Sequence, residues 1–600
     1  MSMRGGFVGR LTEDREHYDL RRLNRRTLVR AAGYLRPYAR VLVGAGGATL
    51  LNTAAAVLSP YLTKVAVDAY ILPGDFSGLQ IWFVLFMVVQ CLIWLGSYWQ
   101  SHLANRVGQS VIRDMRDDLF DRLLVLPMRF HDRHSVGELT SRVTHDAESA
   151  AEALSSGLVN LLSDLLALVG IAVAMLWLDT QLGLLVLAVV PLAFVAMWWL
   201  GQRLRAAYRD VRQQTAAMSA QVEESVAGIR AIQALSQETA AVGRFSQFNW
   251  ASLRANLRAV ILFALVFPAM TVVGAMGFAV VLVFGGAGVI EGRMTLGVLL
   301  AFFGYVRRFF GPINELSQVY NTLQAAGAGI ERVVQFLDLE PALDQPEQPQ
   351  RPEAGWQGGV ALESVSFAYS DGAKLFDSIN LSVEPQETIG IVGSSGAGKS
   401  TLARLISRLY EVSSGRVAVD GIDVRCIEKS ELGRLISLVP QTPFLFNTTL
   451  RDNIAYGRPD AADCEIEEAL RKLSDGYVLE SCPKGLDTVV GERGVRLSGG
   501  QQQLIALTRV FLLDPKVVIL DEATSSVDSV TESLIQRALE RLLEARTGII
   551  IAHRFSTIAR LSRLVVLADG RIVDAGSHAE LIGRCAEYQA LYKSQWSAPA

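Results

Sequence analysis

The sequence predicts two fold classes in one chain: an all-α transmembrane domain of six helices, then an α/β P-loop NTPase domain. Three observations predict this. The 600 residues are 50% hydrophobic with a mean hydropathy of +0.28, and the apolar excess lies before residue 315. Gly393-Ser394-Ser395-Gly396-Ala397-Gly398-Lys399-Ser400 spells G-x-x-x-x-G-K-S between an apolar strand and a helix. Between these regions lies the polar, Pro-rich Asp344-Gln345-Pro346-Glu347-Gln348-Pro349-Gln350-Arg351-Pro352, a linker by composition. The expected boundaries are 1–40 for a cytoplasmic N-terminal segment, 41–340 for the membrane domain, 341–358 for the linker and 359–600 for the nucleotide-binding domain.

Apolar runs of spanning length occur near 41–69, 79–100, 155–178, 182–200, 259–290 and 295–313. The segments before 41, from 101 to 154 and from 201 to 258 are rich in Arg, whereas Tyr70 to Leu79 has no Lys or Arg. Both termini are therefore expected in the cytoplasm. Pro268 in the long fifth run is a tolerated kink. Residues 19–38 set Leu20, Leu23, Leu28, Val29 and Tyr34 among Arg21, Arg22, Arg25, Arg26 and Arg30. That pattern predicts an amphipathic elbow helix lying at the inner interface.

Charge and cysteine usage exclude other classes. A net charge of −3 argues against a general nucleic-acid binder. Cys91, Cys426, Cys464, Cys482 and Cys585 lie far apart without metal spacing and read as reduced thiols. The first apolar run begins near Val41 without a cleavage signature, so no removable signal peptide is expected.

Two cytoplasmic loops are too long to be turns, and helical periodicity breaks in them at 130–139 and 223–230. Those breaks suit short helices that touch a second domain. His131 and His134 lack a third ligand nearby, so metal binding is not expected there. Arg307 and Arg308 lie about 17 Å along the sixth run at the helical rise. Charges at that depth face a cavity or a partner. They are candidates for lining a substrate cavity and meeting an anionic group, or for pairing with Asp164 in the third run.

In the second half, Thr388–Val392 predicts the strand before the P-loop, and Leu402, Leu405, Ile406 and Leu409 predict the buried face of the helix after it. The loop glycines allow backbone N–H groups to close on phosphate oxygens, Lys399 reaches the outer phosphates, and the Ser400 hydroxyl suits magnesium. Thr401 follows in the same helix turn. Gly359–Tyr369 alternates like an edge strand. Lys516-Val517-Val518-Ile519-Leu520-Asp521-Glu522 predicts a buried strand ending in two acids. Asp521 stands where a P-loop fold holds Mg2+ through water, and Glu522 suits polarising an attacking water. Leu497-Ser498-Gly499-Gly500-Gln501 opens a helix and presents a second phosphate-binding turn. One P-loop and two cradles are reconciled when the second cradle serves another chain.

This combination resembles the ATP-binding cassette (ABC) transporters, as an exporter-type half-transporter of the bacterial multidrug or lipid exporter kind. The resemblance implies that ATP and Mg2+ are the ligands. It implies that Tyr369 stacks on adenine, Gln441 senses magnesium and the membrane domain, Asp528 contacts the opposite subunit, and His553 contacts the γ-phosphate. It further implies that Ser498, Gly499, Gly500 and Gln501 complete the partner's site, that Gly491–Gly494 touches the cytoplasmic loops, and that the two loop breaks are coupling helices. Lys399, Asp521, Glu522, His553 and the signature are all intact. A homodimer is therefore favoured over a heterodimer. The function implied is ATP-driven export of lipids or amphipathic drugs across the plasma (inner) membrane, with an importer or an ATP-gated channel-like protein as the alternatives on this architecture.

Overall fold

Apolar helices dominate the first half and a layered α/β arrangement the second. The computed structural model describes residues 25–339, 346, 348–369, 374–521, 529–551 and 558–595. The chain divides into two units: Met1–Leu123 with Val136–Leu339, and Leu124–Ser135 with Glu340–Ala600.

In the first unit the principal helices are α1 (Ala39–Val65), α2 (Phe76–Val125), α3 (Leu158–Leu178), α4 (Val190–Ala227), α5 (Glu238–Ala264), α6 (Val266–Val280) and α7 (Leu296–Leu337). Five described helical segments, Val29–Ile71, Phe76–Val125, Val136–Leu178, Thr180–Ala227 and Glu238–Ile290, are long and apolar enough to cross a membrane. The sixth expected run lies in α7, part of which falls outside the described side chains. Helices α1, α3 and α7 pack on one another, and α4 packs along α5. The α5–α6 break at Leu265 precedes Pro268, whose ring cannot donate to the Ala264 carbonyl.

Proline also explains how α1 meets α7. Pro60 lies inside α1 and leaves the Ala56 carbonyl without its helical N–H donor. From α7, the Arg308 guanidinium donates to Ala56 O at 2.7 Å and the Tyr305 hydroxyl to Val57 O at 2.9 Å. Gly304 lets the helices approach, because a Cβ there would lie 3.1 Å from Pro60.

Of the basic elbow, Arg25–Gly33 is helical, and residues 1–24 lie outside the described part. Just beyond it, the Tyr34 and Tyr38 hydroxyls donate to Asp118 at 2.6 Å and Asp114 at 2.7 Å. These acids stand four apart on α2, so the elbow is tied to one face of that helix. Where the second loop break was expected at 223–230, α4 continues to Ala227. The break begins at Gly228, a poor helix former, and a short helix covers Ile229–Ala234.

The second unit has two sheets. The first orders β2 (Lys374–Val383), β1 (Val360–Ala368), β4 (Ser414–Val419) and β5 (Ile422–Asp423). β1 is thus not an edge: Val360 pairs with Val383 on one side and Val419 on the other. Its period-two alternation marks two chemically different faces, and pairing on both edges is invisible to that pattern. The second sheet runs β10 (Arg571–Gly576), β9 (Arg563–Ala568), β3 (Thr388–Gly393), β8 (Thr547–Ile551), β7 (Val517–Asp521), β6 (Ile436–Val439). All its pairings are parallel except β9 with β10. The P-loop helix α8 (Lys399–Ile406) buries Leu402, Leu405 and Ile406 but ends before Leu409, which is 40% exposed. The signature helix α9 runs Gly499–Leu513.

Candidate functional site

Strand order brings the Gly393–Ser400 loop and Asp521 to one end of the second sheet. β3 delivers the P-loop, and β7, separated from it by β8, delivers Asp521. The turn itself is built on close backbone approach. A Cβ on Gly393 would lie 2.2 Å from the Leu567 carbonyl oxygen. Gly398 has φ +102°, and a Cβ there would strike the Phe376 ring at 2.6 Å. Lys399 is buried, and its Nζ donates to the Gly393 and Ser394 carbonyls at 2.8 and 2.9 Å. The ammonium thereby closes the loop on itself. Ser395, Gly396 and Ala397 complete the loop, with Gly396 at φ +85°.

The Ser400 hydroxyl donates to Asp521 Oδ1 at 3.3 Å across 121 residues of sequence. A hydroxyl and a carboxylate in contact beside a phosphate cradle form an oxygen pair that fits a hard divalent cation. Tyr369 lies just after β1, and its hydroxyl is 2.9 Å from Thr401 Oγ1. Its ring meets Phe367 and Tyr410 edge-on, at 4.9 and 5.5 Å between centroids. Gln441 occupies an exposed bend just beyond β6. Glu522, Asp528 and His553 lie outside the described residues.

The signature turn is a capping box. Ser498 Oγ accepts from the Gln501 N–H, while Gln501 Oε1 accepts from the Ser498 N–H at 2.9 Å. Gly499 has open space where a side chain would begin, and Gly500 is buried. Gln502 binds the Gly494 and Leu497 carbonyls, which fastens Gly491–Gly494 to the signature helix.

The contacts of one expected loop helix and two further relationships were not read from the sequence. The first loop break folds as a short helix, Met128–Arg133, that clusters with the second unit. There the Tyr410 hydroxyl donates to the Asp132 carboxylate, and Arg129 sits 5.7 Å from the Phe367 ring centre. His134 Nδ1 is used locally, 2.8 Å from the Phe130 carbonyl. Secondly, Arg308 is committed to α1, whereas Arg307 is exposed. Pro60 within an apolar run was the signal for that clamp. Thirdly, the suggested pairing of Asp164 with an arginine is not what forms: Asp164 faces Glu315 of α7. The two carboxyls are in side-chain hydrogen-bond contact.

Comparison with known proteins places this geometry. The family model for the ABC transporter transmembrane region matches residues 42–313 and the one for the ABC transporter matches 376–525. An ATP-dependent lipid A-core flippase of Syntrophus aciditrophicus is 34% identical over 89% of this chain and 89% of its own length. The chain belongs to the ABC transporter family. A fatty acid ABC transporter ATP-binding/permease protein of Mycobacterium bovis is 36% identical over 86% of this ABC transporter and 82% of its own length. A bacterial Atm1-family ABC exporter solved with ATP bound superposes with a TM-score of 0.77 at 28% identity, covering 94% of this chain and 99% of the other. The chain is accordingly an exporter-type half-transporter: a multi-pass membrane protein fused to an ATP-hydrolysing domain, with an architecture that implies dimerisation.

Proposed function

We propose that two copies of this chain form an exporter of lipids or other amphipathic molecules, with both termini and the ATPase domain in the cytoplasm and the spans in the inner membrane. The observation that carries the reading is the contact of Ser400 with Asp521, set beside Lys399 in a loop whose glycines admit phosphate. In this account Gly393 to Thr401 bind ATP, Tyr369 stacks on the adenine, and Ser400, Asp521 and Gln441 hold Mg2+ with water. The bound cation would neutralise phosphate charge. Lys399 leaves its own loop carbonyls for the outer phosphates. Glu522 orients and deprotonates the attacking water, and His553 donates to the γ-phosphate.

Ser498 to Gln501 complete the site of the other copy, with Asp528 at the subunit contact. The capped N-terminus of α9 offers free backbone donors and positive dipole potential to that phosphate. An ATP held between two chains converts binding into closure, and closure moves the membrane helices. Arg307, exposed within the sixth run, is assigned to the substrate path, whereas Arg308 is assigned to holding α1. Support for lipid or amphiphile transport comes from the relatives that carry a lipid A-core flippase or fatty acid transporter name. Glu522→Gln tests the catalytic assignment: ATP binding is retained and turnover is lost, whereas near-normal hydrolysis would refute it. Mass measurement of the purified complex tests the homodimer.

A further inference from the structure

The N-terminal helix Arg25–Gly33 packs on α7 with Ala31 buried, whereas among the described residues α2 does not itself pack along α7. Side chains of the N-terminal segment join the two. Just past the helix, the Tyr34 and Tyr38 hydroxyls donate to Asp118 and Asp114 of α2. Arg113 secures the second of these bonds, donating to the Tyr38 hydroxyl at 3.2 Å and to Asp114 at 2.6 Å. Within the helix, Arg30 pairs with Asp338, the residue that follows α7. Arg122 of α2 donates to the neighbouring Leu339 carbonyl, so the ties converge on one point.

These contacts stand far from the membrane. The second apolar run ends near 100, and Asp114 and Asp118 follow fourteen and eighteen residues later on one uninterrupted helix. At the helical rise they lie about 21 and 27 Å beyond the run. Asp338 follows the end of the sixth run, near 313, by twenty-five residues, about 38 Å. The described part of the basic segment is thus not at the inner interface, where its amphipathic pattern placed it: three carboxylates draw it along the helices instead. Two routes leave the membrane unit here. α2 leads to the short helix Met128–Arg133, which clusters with the second unit, and α7 leads into the linker.

We propose that residues Arg25 to Tyr38 form an autoinhibitory strap, which holds the ends of α2 and α7 together and thereby slows ATP turnover. A cycle that shifts one end against the other has to open these bonds, so their strength adds to its barrier. The Arg30 and Asp338 side chains are 48% and 54% exposed, and exposed pairs are individually weak. The strap therefore retards the cycle without locking it. This goes beyond the nucleotide site, since it concerns the rate at which ATP is used and does not depend on which molecule is exported.

The test is a charge swap at the exposed pair, read as ATPase activity of the full-length transporter in lipid nanodiscs without added amphiphile. Arg30→Asp and Asp338→Arg should each raise turnover about threefold, the change in barrier that one exposed ion pair supplies. The KM for ATP should stay within about twofold. Combining Arg30→Asp with Asp338→Arg should return turnover to the wild-type rate, which a merely structural role would not do. Tyr34→Phe removes only the hydroxyl given to Asp118 and should also raise turnover, and adding Asp118→Asn should raise it no further. Unchanged or lowered turnover in both single charge variants, or a combined variant that stays as fast as either, would overturn the proposal. Lys399→Ala separates this from the nucleotide-site reading. Activity that Lys399→Ala abolishes and the strap variants leave unchanged rejects the strap alone, whereas activity that survives Lys399→Ala rejects the P-loop assignment and the strap with it.

Discussion

The Arg308 guanidinium donates at 2.7 Å to the Ala56 carbonyl, the acceptor that Pro60 leaves without a helix partner. A charged side chain thus completes the backbone of a neighbouring helix where lipid offers no substitute. Arg308→Ala should cost about 1–3 kcal/mol, the range for losing a charge-assisted bond to a buried acceptor. Pro60→Ala should recover part of that loss, because it restores a backbone N–H that can donate to the Ala56 carbonyl from within α1. Detergent-driven unfolding of the four proteins of the double-mutant cycle measures both effects.

Lys399→Ala should abolish ATP binding, measured by equilibrium dialysis, with the fold retained. Gly398→Ala should do the same for a different reason. Its backbone sits at φ +102°, and the new methyl would meet the Phe376 ring at 2.6 Å, so the cradle itself has to deform.

Tyr410→Phe removes the hydroxyl that Asp132 accepts, without touching the P-loop. ATP affinity should be unchanged, while stimulation of ATPase activity by transported amphiphiles should fall about threefold or more, an effect on the scale of one hydrogen bond. Asp132→Asn should fall similarly, and the double variant should be no worse than either.

Asp475, in left-handed backbone at φ 48°, accepts from Arg541 at 2.8 Å and Arg537 at 3.0 Å. Those bonds, with Arg541 the larger influence, hold its carboxyl below the usual carboxylate range. A depressed folded pKa stabilises above the unfolded value of about 3.9 and is lost as pH falls through the folded value. Asp475→Asn should therefore lower stability by about 0.2–1 kcal/mol near neutral pH, as expected for a solvent-screened pair. The difference from wild type should shrink on acidification to about pH 3, read from urea unfolding midpoints.

Much of the local structure was legible in the sequence, because it is written in short local patterns. Gly393 to Ser400, the strand into Asp521 and the capping box at Ser498 each depend on neighbours within a few residues. β1 misled because alternation reports faces and not edges. The second loop break shifted to Gly228, where a single glycine outweighed the apparent loss of periodicity at Glu223. Contacts that join distant segments were the least legible. Arg308 with Ala56 depends on a carbonyl, which carries no side-chain signature, although Pro60 announces that one is free. Asp164 and Glu315 are separated by the whole middle of the membrane domain, and like charges do not suggest proximity. Tyr410 and Asp132 meet because a loop helix of one region clusters with the other.

The central claim is that hydrolysis at the composite nucleotide site drives directional movement of an amphiphile. ATP-dependent accumulation of a fluorescent lipid analogue, in sealed proteoliposomes whose ATPase domains face outward, tests it most directly. The account predicts accumulation against a gradient with ATP and none with Glu522→Gln. Equal accumulation by that variant, or flux that only dissipates the gradient, would contradict it.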